Sequence, residues 1–411
     1  MEIEEFSIKT PVILLLLTLV PTWPALAQTE VVLYSFGGGG AADAHSPYVG
    51  MVWDSLGNLY GTTNAGGAFG YGAVFELTPS AGGWTESVLY SFTGNADGAE
   101  PNSLALDVSG NIYGTTHLAG LYLEGTVFEL RHGSDGSWTL DTLHNFKNDN
   151  KDGMAPSAGV VFDAGGNLYG TTNQGGVYRA GIVYELTRTA GGSWAERIPH
   201  NFAAGSDGAN PVAGLILDNA GNLYGTTASG GVYANGIAFE LTRRQGGVWS
   251  EKILHTFKRG NDAALPQAGL SLDAAGNLYG TTDQGGANGF GTVFELIPPT
   301  PTSTQWTEKI LHSFVRNLTD GQYPYAGVTL DSSGNLYGTC SAGGANQVGV
   351  VFELIPGSDG SWTENILHSF SPNPDGAQPT GGVIFDSAGN LFGTTFQGGA
   401  FKEGTVYEIT P

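Results

Sequence analysis

Two titratable residues occupy the same position in a repeated motif and could carry out acid–base chemistry. His117 directly follows GNIYGTT and Asp283 directly follows GNLYGTT, at a position that Asn, Ala, Ser or Phe holds in the other repeats. A histidine paired with a carboxylate can act as general acid and general base, for example in glycosidic bond cleavage. These two residues lie three repeats apart, so they would have to meet across the centre of the molecule. Ordinary surface variation is the alternative interpretation.

A second set of residues could bind a ligand without reacting with it. The loops that follow the same motif carry aromatic residues in one column, with basic residues beside them. Aromatic rings on such loops can stack on the flat faces of sugars. This pattern predicts a carbohydrate-binding surface composed of Phe69, Tyr122, Tyr178, Arg179, Tyr233, Phe401 and Lys402. The alternative is that the aromatic side chains pack against neighbouring loops.

Other polar columns are more typical of structural roles. The histidines His144, His200, His255, His312 and His368 share one column, which Tyr34 and Tyr90 fill in the two remaining repeats. These residues are expected on outer strands too far apart to share a metal, so the column is interpreted as packing. A sevenfold Asp-x-x-x-Pro motif is interpreted as a turn, because the DxDxDG calcium spacing is absent. No metal and no cofactor is predicted.

Familiar catalytic motifs do not occur in this sequence. There is no G-x-S-x-G, no G-K-[ST] and no H-E-x-x-H. The single cysteine, Cys340, replaces the second Thr of a GTT motif and is expected to occupy a buried strand position. Of the acidic residues outside the repeat template, five fall in loops near the predicted binding surface, namely Glu100, Glu124, Asp149, Asp283 and Glu403.

The chain is dominated by a repeat of about 55 residues. The motif of the GNLYGTT type begins at Gly57, Gly110, Gly166, Gly221, Gly276, Gly334 and Gly389. Each unit divides at turn residues into four strand-length apolar runs, which we name A to D in chain order. Between A and B, Asp-x-x-Gly-Asn is typical of a tight hairpin turn. Small residues at the start of run A indicate an innermost strand in crowded surroundings.

The two ends of the chain indicate a closed ring. The last unit ends after run C, whereas the segment TEVVLYSF at residues 29–36 matches the run D sequence TESVLYSF at residues 85–92. A ring needs its termini to meet within one blade, which also removes exposed sheet edges. We therefore predict an all-β, seven-bladed β-propeller with four-stranded antiparallel blades. Blades 1 to 6 are expected near residues 48–92, 102–146, 157–202, 212–257, 267–314 and 325–370, and blade 7 combines 380–410 with 29–36.

The repeat resembles that of a known family. The succession GNLYGTT, GG, G-x-V-F-E-L and W-x-E-x-x-L-H-x-F is similar to the Gloeo-Verruco, or GloVer, tandem repeat of exported bacterial proteins. The resemblance covers about residues 29–411 and implies a secreted repeat protein. It brings no established activity and no catalytic residues. Some members of the family carry a C-terminal anchor, and none is visible in this sequence.

The N-terminal segment indicates where the protein is located, and the net charge of the chain limits the kinds of partner it can bind. Residues 1–27 are predicted to be a signal peptide, because the apolar run at 12–20 precedes an Ala-Leu-Ala cleavage site; residues 28–411 are then a single propeller domain. A secreted, extracellular or periplasmic monomer without a transmembrane segment is expected. The net charge of −23 with only 15 Lys and Arg argues against nucleic acid as partner.

Three functions remain open at this level. The favoured hypothesis is an exported, non-catalytic binding propeller whose ligand is a polysaccharide or cell-surface glycan at the channel mouth. The first alternative is a polysaccharide lyase or glycoside hydrolase that works at the same face with His117, Asp283, Arg179 or Tyr178. The second is a protein-interaction scaffold. The fold alone does not rank these functions, because propellers carry unrelated activities.

Overall fold

The computed structural model describes residues 29–40 and 43–410. The predicted signal peptide, residues 1–27, lies outside the described residues. Within them, seven antiparallel four-stranded sheets form the blades of a β-propeller, as the sequence predicted. The described chain contains one short 3-10 helix, Gly205–Asp207, and no helix that could cross a membrane.

In every blade, strand A is innermost and strand D is outermost. The A strands are Val52–Trp53, Ala105–Leu106, Val161–Phe162, Ile216–Leu217, Ser271–Leu272, Thr329–Leu330 and Ile384–Phe385. The B strands are Leu59–Thr63, Ile112–Leu118, Leu168–Thr172, Leu223–Thr227, Leu278–Thr282, Leu336–Cys340 and Leu391–Thr395. The C strands are Ala73–Ser80, Thr126–His132, Ile182–Arg188, Ile237–Arg243, Thr292–Ile297, Val350–Pro356 and Thr405–Thr410. The D strands are Gly83–Ser91, Trp138–Asn145, Trp194–Asn201, Trp249–Thr256, Thr307–Ser313, Trp362–Ser369 and, for blade 7, Thr29–Ser35.

Strand A is shorter than the sequence predicted. In blade 4 the run AGLILD at 213–218 contributes only two ladder residues, which pair as Ile216 with Tyr224 and Leu217 with Leu223. The preceding small residues leave the ladder and line the channel. A Cβ added to Gly269 would lie 3.2 Å from the carbonyl oxygen of Gly214 in the adjacent blade. Close approach of the innermost backbones therefore explains the small residues at these positions.

The Asp-x-x-Gly-Asn motif forms the expected turn between strands A and B. In blade 1 the backbone N–H groups of Leu56 and Asn58 donate to Asp54 Oδ1 at 2.8 and 2.9 Å. Gly57 adopts a positive φ of 88°, which glycine allows without strain. The Tyr60 hydroxyl lies 3.2 Å from Asp54 Oδ2 and 2.7 Å from Glu76 Oε1. Much of the acidity is therefore architectural, since the same contacts recur in blades 2 to 6.

Adjacent blades are joined by a repeated hydrogen bond and by apolar cores. The first Thr of each GTT motif donates to a backbone carbonyl in strand A or its leading segment in the next blade, for example from Thr226 to Ala268 O at 3.1 Å. A buried apolar cluster fills each space between sheets. In one of them Phe257 of blade 4 meets Phe294 of blade 5 edge to face, with ring centroids 5.2 Å apart. Strands B are buried on both faces for this reason.

The N-terminal strand completes blade 7. Residues Thr29 to Ser35 pair antiparallel with Thr410 to Thr405 of the last strand. Phe36 is fully buried and packs edge to face on Phe75 of blade 1, with centroids 5.1 Å apart. The two ends of the chain thus close the ring within one sheet, as predicted from the run D sequence at residues 29–36.

The D-to-A and B-to-C loops lie on one face of the ring, as expected. In several blades they form a two-residue antiparallel ribbon; these ribbons join Ala44–His45 to Ala65–Gly66, Gly153–Met154 to Gln174–Gly175, Ala263–Ala264 to Gln284–Gly285, and Gly321–Gln322 to Ala342–Gly343. In blade 2 the corresponding segment Ala99–Pro101 pairs with an extension of strand B. Single bridges replace the ribbon in blades 4 and 7. We call this face the loop face.

Candidate functional site at the channel mouth

A cavity of about 590 Å³ opens where the channel meets the loop face. Its wall consists of the small residues that precede strands A, such as Gly50, Gly214 and Gly327. These backbones are in close contact around the ring, so the wall is closely packed. Because its residues are small, the side-chain functional groups of the cavity come from the longer residues at the rim. The volume is within the range of small-ligand pockets.

One residue from every blade forms the rim of this cavity. Each of them directly follows the proline of an Asp-x-x-x-Pro motif. This post-proline ring consists of Tyr48, Asn102, Ser157, Val212, Gln267, Tyr325 and Thr380. The seven positions carry six different residue types, although the loops that carry them are repeats.

Three members of the post-proline ring are held by hydrogen bonds within the protein. The Asn102 amide donates to Thr115 Oγ1 and to Pro156 O, both at 2.9 Å. The Thr380 hydroxyl donates to the carbonyl oxygen of Tyr48 at 2.8 Å, and the Ser157 hydroxyl lies 3.3 Å from Ala155 O. These residues fix the loops and leave ligand contact to the others.

Tyr48, Gln267 and Tyr325 are the polar members of the ring whose side chains make no hydrogen bond to any other described residue, and Val212 is its apolar member. Both tyrosines are 39% exposed. Burial raises the pKa of the Tyr48 hydroxyl, so this group remains a neutral donor and acceptor across the physiological range. The arrangement therefore offers two aromatic faces and an amide to a ligand in the cavity.

His117 lines the same cavity. Its Nδ1 donates to the carbonyl oxygen of Pro156 at 3.1 Å and lies 3.4 Å from Ser157 Oγ. Since a carbonyl only accepts, Nδ1 carries the hydrogen, and Nε2 is the nitrogen that can accept a hydrogen bond from a ligand. The structure thus places this sequence-predicted residue at the channel mouth. Glu100 also lines the cavity.

Asp283 lies beside the rim but does not line the cavity. Burial raises its pKa, and a contact with Gln284 opposes the shift. The pKa of the Tyr325 hydroxyl is raised by burial and then by the negative charge of Asp283. Asp283 is therefore close enough to influence a residue of the post-proline ring electrostatically.

His117 and Asp283 are not in direct contact with each other. Among the described residues, neither side chain makes a hydrogen bond or an ion pair with a second titratable group. The two catalytic carboxyl groups of a glycosidase lie about 5–10 Å apart, one on each side of the scissile bond. His117 lines the cavity, together with Glu100, whereas Asp283 does not.

The predicted aromatic surface lies outside the cavity. Phe69, Tyr122, Tyr178, Tyr233 and Phe401 are each about half exposed on the B-to-C loops, and none lines the channel mouth. We call them the rim aromatics. They are spread over different blades, so the structure arranges them around the loop face rather than at one point.

The rim aromatics make contacts with the D-to-A loops. The Lys147 ammonium lies 5.8 Å from the ring centroid of Tyr122, and the Lys258 ammonium lies 5.9 Å from that of Tyr233. Arg179 donates through Nε and Nη2 to Asn150 Oδ1 at 3.0 and 2.6 Å. Loop packing and ligand contact are both compatible with half-exposed rings. Lys402 has a positive φ of 69° on the loop of blade 7.

Cys340 is fully buried in strand B of blade 6. Burial raises the pKa of its thiol well above the usual value, with a smaller contribution from Glu364. A neutral, enclosed thiol is a poor nucleophile. The expected structural position of this residue is confirmed.

The sequence analysis did not single out Tyr48, Gln267 and Tyr325. A signal was present, because the residue after each Asp-x-x-x-Pro proline varies among seven otherwise similar loops. A position that varies within a repeated template is free of the common folding constraint and can diverge for binding. The small residues next to it drew attention to packing, and the variation at this column was overlooked.

Comparisons with known proteins agree on the fold. The extracellular domain assigned to a one-component system of B. thetaiotaomicron aligns with a TM-score of 0.54 and 10% identity, over 93% of this chain and 40% of that one. A luciferin-regenerating enzyme aligns with a TM-score of 0.43 and 15% identity, over 90% and 92% of the two chains. A gluconolactonase from Xanthomonas campestris gives 0.43 and 14%, over 93% and 89%. The first alignment supports the fold alone, and the two with TM-scores below 0.5 carry no argument.

Sequence comparison gives a more specific result. The family model of the Gloeobacter/Verrucomicrobia repeat matches residues 22–219 and again residues 213–411. The two matches together cover the seven blades. No protein of curated function matches the chain.

Proposed function

The chain belongs to the Gloeobacter/Verrucomicrobia repeat family, and from that premise we propose that it is an exported, non-catalytic propeller that binds a polysaccharide or cell-surface glycan at the channel mouth. The observation that carries this proposal is the post-proline ring around a cavity of about 590 Å³. Its unbonded polar side chains are two tyrosines and an amide. Stacking on aromatic faces and neutral hydrogen bonds are the contacts that sugars make with proteins.

The charge of the cavity favours a neutral glycan. Among the described residues, no Lys or Arg lines the cavity, and Glu100 is the acid among its lining residues. An anionic sugar would lose hydration without gaining a cation as partner, and the net charge of −23 would repel it at longer range. Neutral hexose polymers fit this environment better than polymers of uronic acids.

The rim aromatics extend the proposed surface. A polysaccharide that places one or two sugar units in the cavity must leave it across the loop face. Half-exposed rings such as Tyr178 and Tyr233 are then available for stacking on further units. The contribution of the rim is expected to be smaller than that of the mouth, since rings at the edge remain partly hydrated.

Binding to a glycan array tests the proposal. We expect the wild-type protein to retain neutral glycans, and Tyr48→Ala with Tyr325→Ala to weaken retention at least about tenfold, the equivalent of 1.4 kcal/mol. Tyr178→Ala with Tyr233→Ala should weaken it less. Leu56→Ala with Val108→Ala removes exposed apolar side chains from A-to-B turns on the opposite face and serves as the matched control. Unchanged retention after the Tyr48 and Tyr325 substitutions would rule out the mouth as the binding site.

The same assay distinguishes the alternatives. Release of shortened or unsaturated products from a retained glycan would indicate a hydrolase or lyase, for which His117 is the first residue to replace. A protein that co-purifies with the chain, together with the absence of glycan binding, would indicate a scaffold. Export is tested separately by N-terminal sequencing of the secreted protein, which should begin at Gln28.

A further inference from the structure

Five of the seven junctions between blades bring a histidine and two carboxylates together. The histidine belongs to strand D of one blade, the aspartate to the loop that leaves this strand, and the glutamate to strand D of the next blade. These junction triads are His144–Asp152–Glu196, His200–Asp207–Glu251, His255–Asp262–Glu308, His312–Asp320–Glu364 and His368–Asp375–Glu30, and in each the three ligand atoms lie within 4.8 Å of one another.

The structure corrects the expectation that outer strands lie too far apart to share a metal. That expectation compared the histidines with one another. A histidine instead meets the glutamate of strand D in the next blade. His255 Nε2 of blade 4 is 3.6 Å from Glu308 Oε2 of blade 5. Packing of the histidine ring on a phenylalanine also occurs, with His255 and Phe257 centroids 5.0 Å apart.

Distances within the triads match the edges of a coordination shell. His255 Nε2 lies 3.4 Å from Asp262 Oδ1, and in the next triad His312 Nε2 lies 3.3 Å from Asp320 Oδ1 and 3.6 Å from Glu364 Oε1. In these two triads the separations exceed the usual 2.7–3.2 Å of an N–H···O hydrogen bond, whereas His144 to Asp152 at 3.1 Å and His368 to Asp375 at 2.9 Å lie within that range. A tetrahedral zinc ion with bonds of about 2.1 Å has ligand atoms about 3.4 Å apart.

Every triad contains a buried oxygen without a partner. The Oε1 atoms of Glu30, Glu196, Glu251, Glu308 and Glu364 are fully buried and accept no hydrogen bond from any described residue. The same is true of Glu86 Oε1 at a junction without a histidine, so this feature supports the sites only together with the imidazole. The Glu308 side chain is only 11% exposed as a whole. Burying a polar atom unpaired costs about 1–3 kcal/mol, so such atoms in native proteins call for a partner. In the second triad His200 Nε2 is also buried and unpaired.

A dication would balance the charge of each triad. A neutral imidazole with two carboxylates carries two negative charges in a space of a few ångströms, largely removed from water. Like charges this close destabilise each other unless a proton or a cation compensates them. One divalent ion at each triad would neutralise it completely.

The ligand set favours a transition metal over calcium or magnesium. The imidazole nitrogen suits zinc and its neighbours, whereas the hard cations prefer shells of oxygen alone. Three protein ligands leave one tetrahedral position for water. At the junction of blades 4 and 5 the triad borders a cavity of about 600 Å³, also lined by Lys252, Trp306 and Lys258, which gives an ion and its water a route of entry.

We propose that the junction triads bind divalent transition-metal ions, one at each of five blade junctions. Each bound ion would link strand D of one blade to strand D of the next and so stabilise the folded ring. This role is independent of the glycan-binding function proposed for the channel mouth, and the two can fail separately.

The two remaining junctions provide natural negative controls. There, Tyr34 and Tyr90 replace the histidine, and each hydroxyl makes a contact with the loop aspartate, at 3.4 and 3.1 Å. At the second of these junctions Asp141 stands in the glutamate column and is already paired with Arg131. A neutral phenol is a far weaker metal ligand than imidazole, so the chain itself shows that a blade junction folds without the triad.

Metal counting tests the proposal. Bound metal is first removed from the full-length secreted chain with a chelator, and the apo protein is then equilibrated with Zn²⁺. After gel filtration has removed free metal, the zinc content per chain is measured by inductively coupled plasma mass spectrometry. We expect five Zn²⁺ per chain and four in His255→Tyr, which copies the junction that blades 7 and 1 already use. Glu308→Gln should also give four. Asp135→Asn, which removes an exposed acid far from any triad, should retain five.

A thermal measurement separates binding from misfolding. The apo forms of wild type and His255→Tyr should unfold at similar temperatures, and Zn²⁺ should raise the midpoint of the wild type more than that of the variant. Ca²⁺ at the same concentration should raise neither. Equal zinc content in wild type and His255→Tyr, or less than one ion per chain in the wild type, would overturn the proposal.

Discussion

The hydroxyl of Thr394 donates a hydrogen bond to the carbonyl oxygen of Val49, 3.2 Å away, although 345 residues separate them in the chain. The same bond joins Thr226 to Ala268 in the middle of the molecule. The junction between blades 7 and 1 is therefore built like the others. Closure is achieved by repeating one local contact, together with the N-terminal strand that completes the last sheet.

The first prediction concerns this closing strand. Deletion of residues 29–36 should leave blade 7 with three strands, uncover the edge of its C strand and expose the core around Phe75. An open sheet edge of this kind recruits other chains, so we expect oligomers or aggregates. Size-exclusion chromatography with light scattering is the measurement. A chain that lacks only residues 1–28 is the control and should elute as a single closed species; identical behaviour of both deletions would argue against ring closure by this strand.

The second prediction concerns the crowded start of strand A. A Cβ added to Gly159 would overlap the backbone carbonyl of Ser103, whereas a Cβ added to the equivalent Gly214 would lie 3.8 Å from Ala158 Cβ, an ordinary contact. Gly159→Ala should therefore destabilise the fold by about 1–3 kcal/mol, the usual cost of overpacking. Gly214→Ala should change stability little. Urea denaturation of the two variants compares them directly, and equal stability would show that the inner strands can move apart.

The third prediction uses the titration of Glu86 at the junction of blades 7 and 1. Burial, and then the charge of Asp43, raise the pKa of Glu86 from 4.5 to about 7. The folded state holds this proton more tightly than the unfolded chain does. The contribution of Glu86 to stability is therefore full below pH 4.5 and is lost as the pH rises towards 7.

Replacing Glu86 by Gln removes this titration. Glu86→Gln should be close to wild type near pH 4.5 and more stable at pH 8, by about 1–2 kcal/mol after allowance for solvent screening of a partly exposed group. Urea denaturation in chelator-containing buffers at both pH values measures the difference. Glu124→Gln, a change of the same chemistry on a loop, is the control. A stability difference that does not depend on pH would contradict the assignment.

The fourth prediction concerns Cys340. Because its thiol is enclosed and its pKa raised by burial, a thiol-specific reagent should modify it only after unfolding, with the native protein reacting at least about a hundredfold more slowly. Cys340→Thr should fold normally, since Thr282 at the same position of blade 5 donates to Gln284 O at 2.8 Å. Rapid labelling of the native protein would show that blade 6 opens locally.

The sequence alone determined the architecture. The motif occurs seven times, and the run D that the last repeat lacks is present at the N-terminus. A closed ring buries the faces of every blade and pairs the first strand of the chain with the last. Turn chemistry at Asp54 and Gly57, the small residues before strand A and the buried position of Cys340 followed from local rules. These features depend on neighbours along the chain or on the repeat itself, and both are visible in one dimension.

The tertiary structure decided which side chains meet. The distance of a loop residue from the axis depends on how each loop bends. Tyr48, Gln267 and Tyr325 therefore line the channel mouth, whereas rim aromatics such as Tyr178 lie outside it. His117 reaches the cavity and Asp283 does not pair with it. The triad of His255, Asp262 and Glu308 draws on two blades and the loop between them, and its parts lie up to 53 residues apart in the sequence. Each column of the repeat describes one position within a blade. Contacts between blades depend on how the sheets pack, and only the folded ring shows which columns meet.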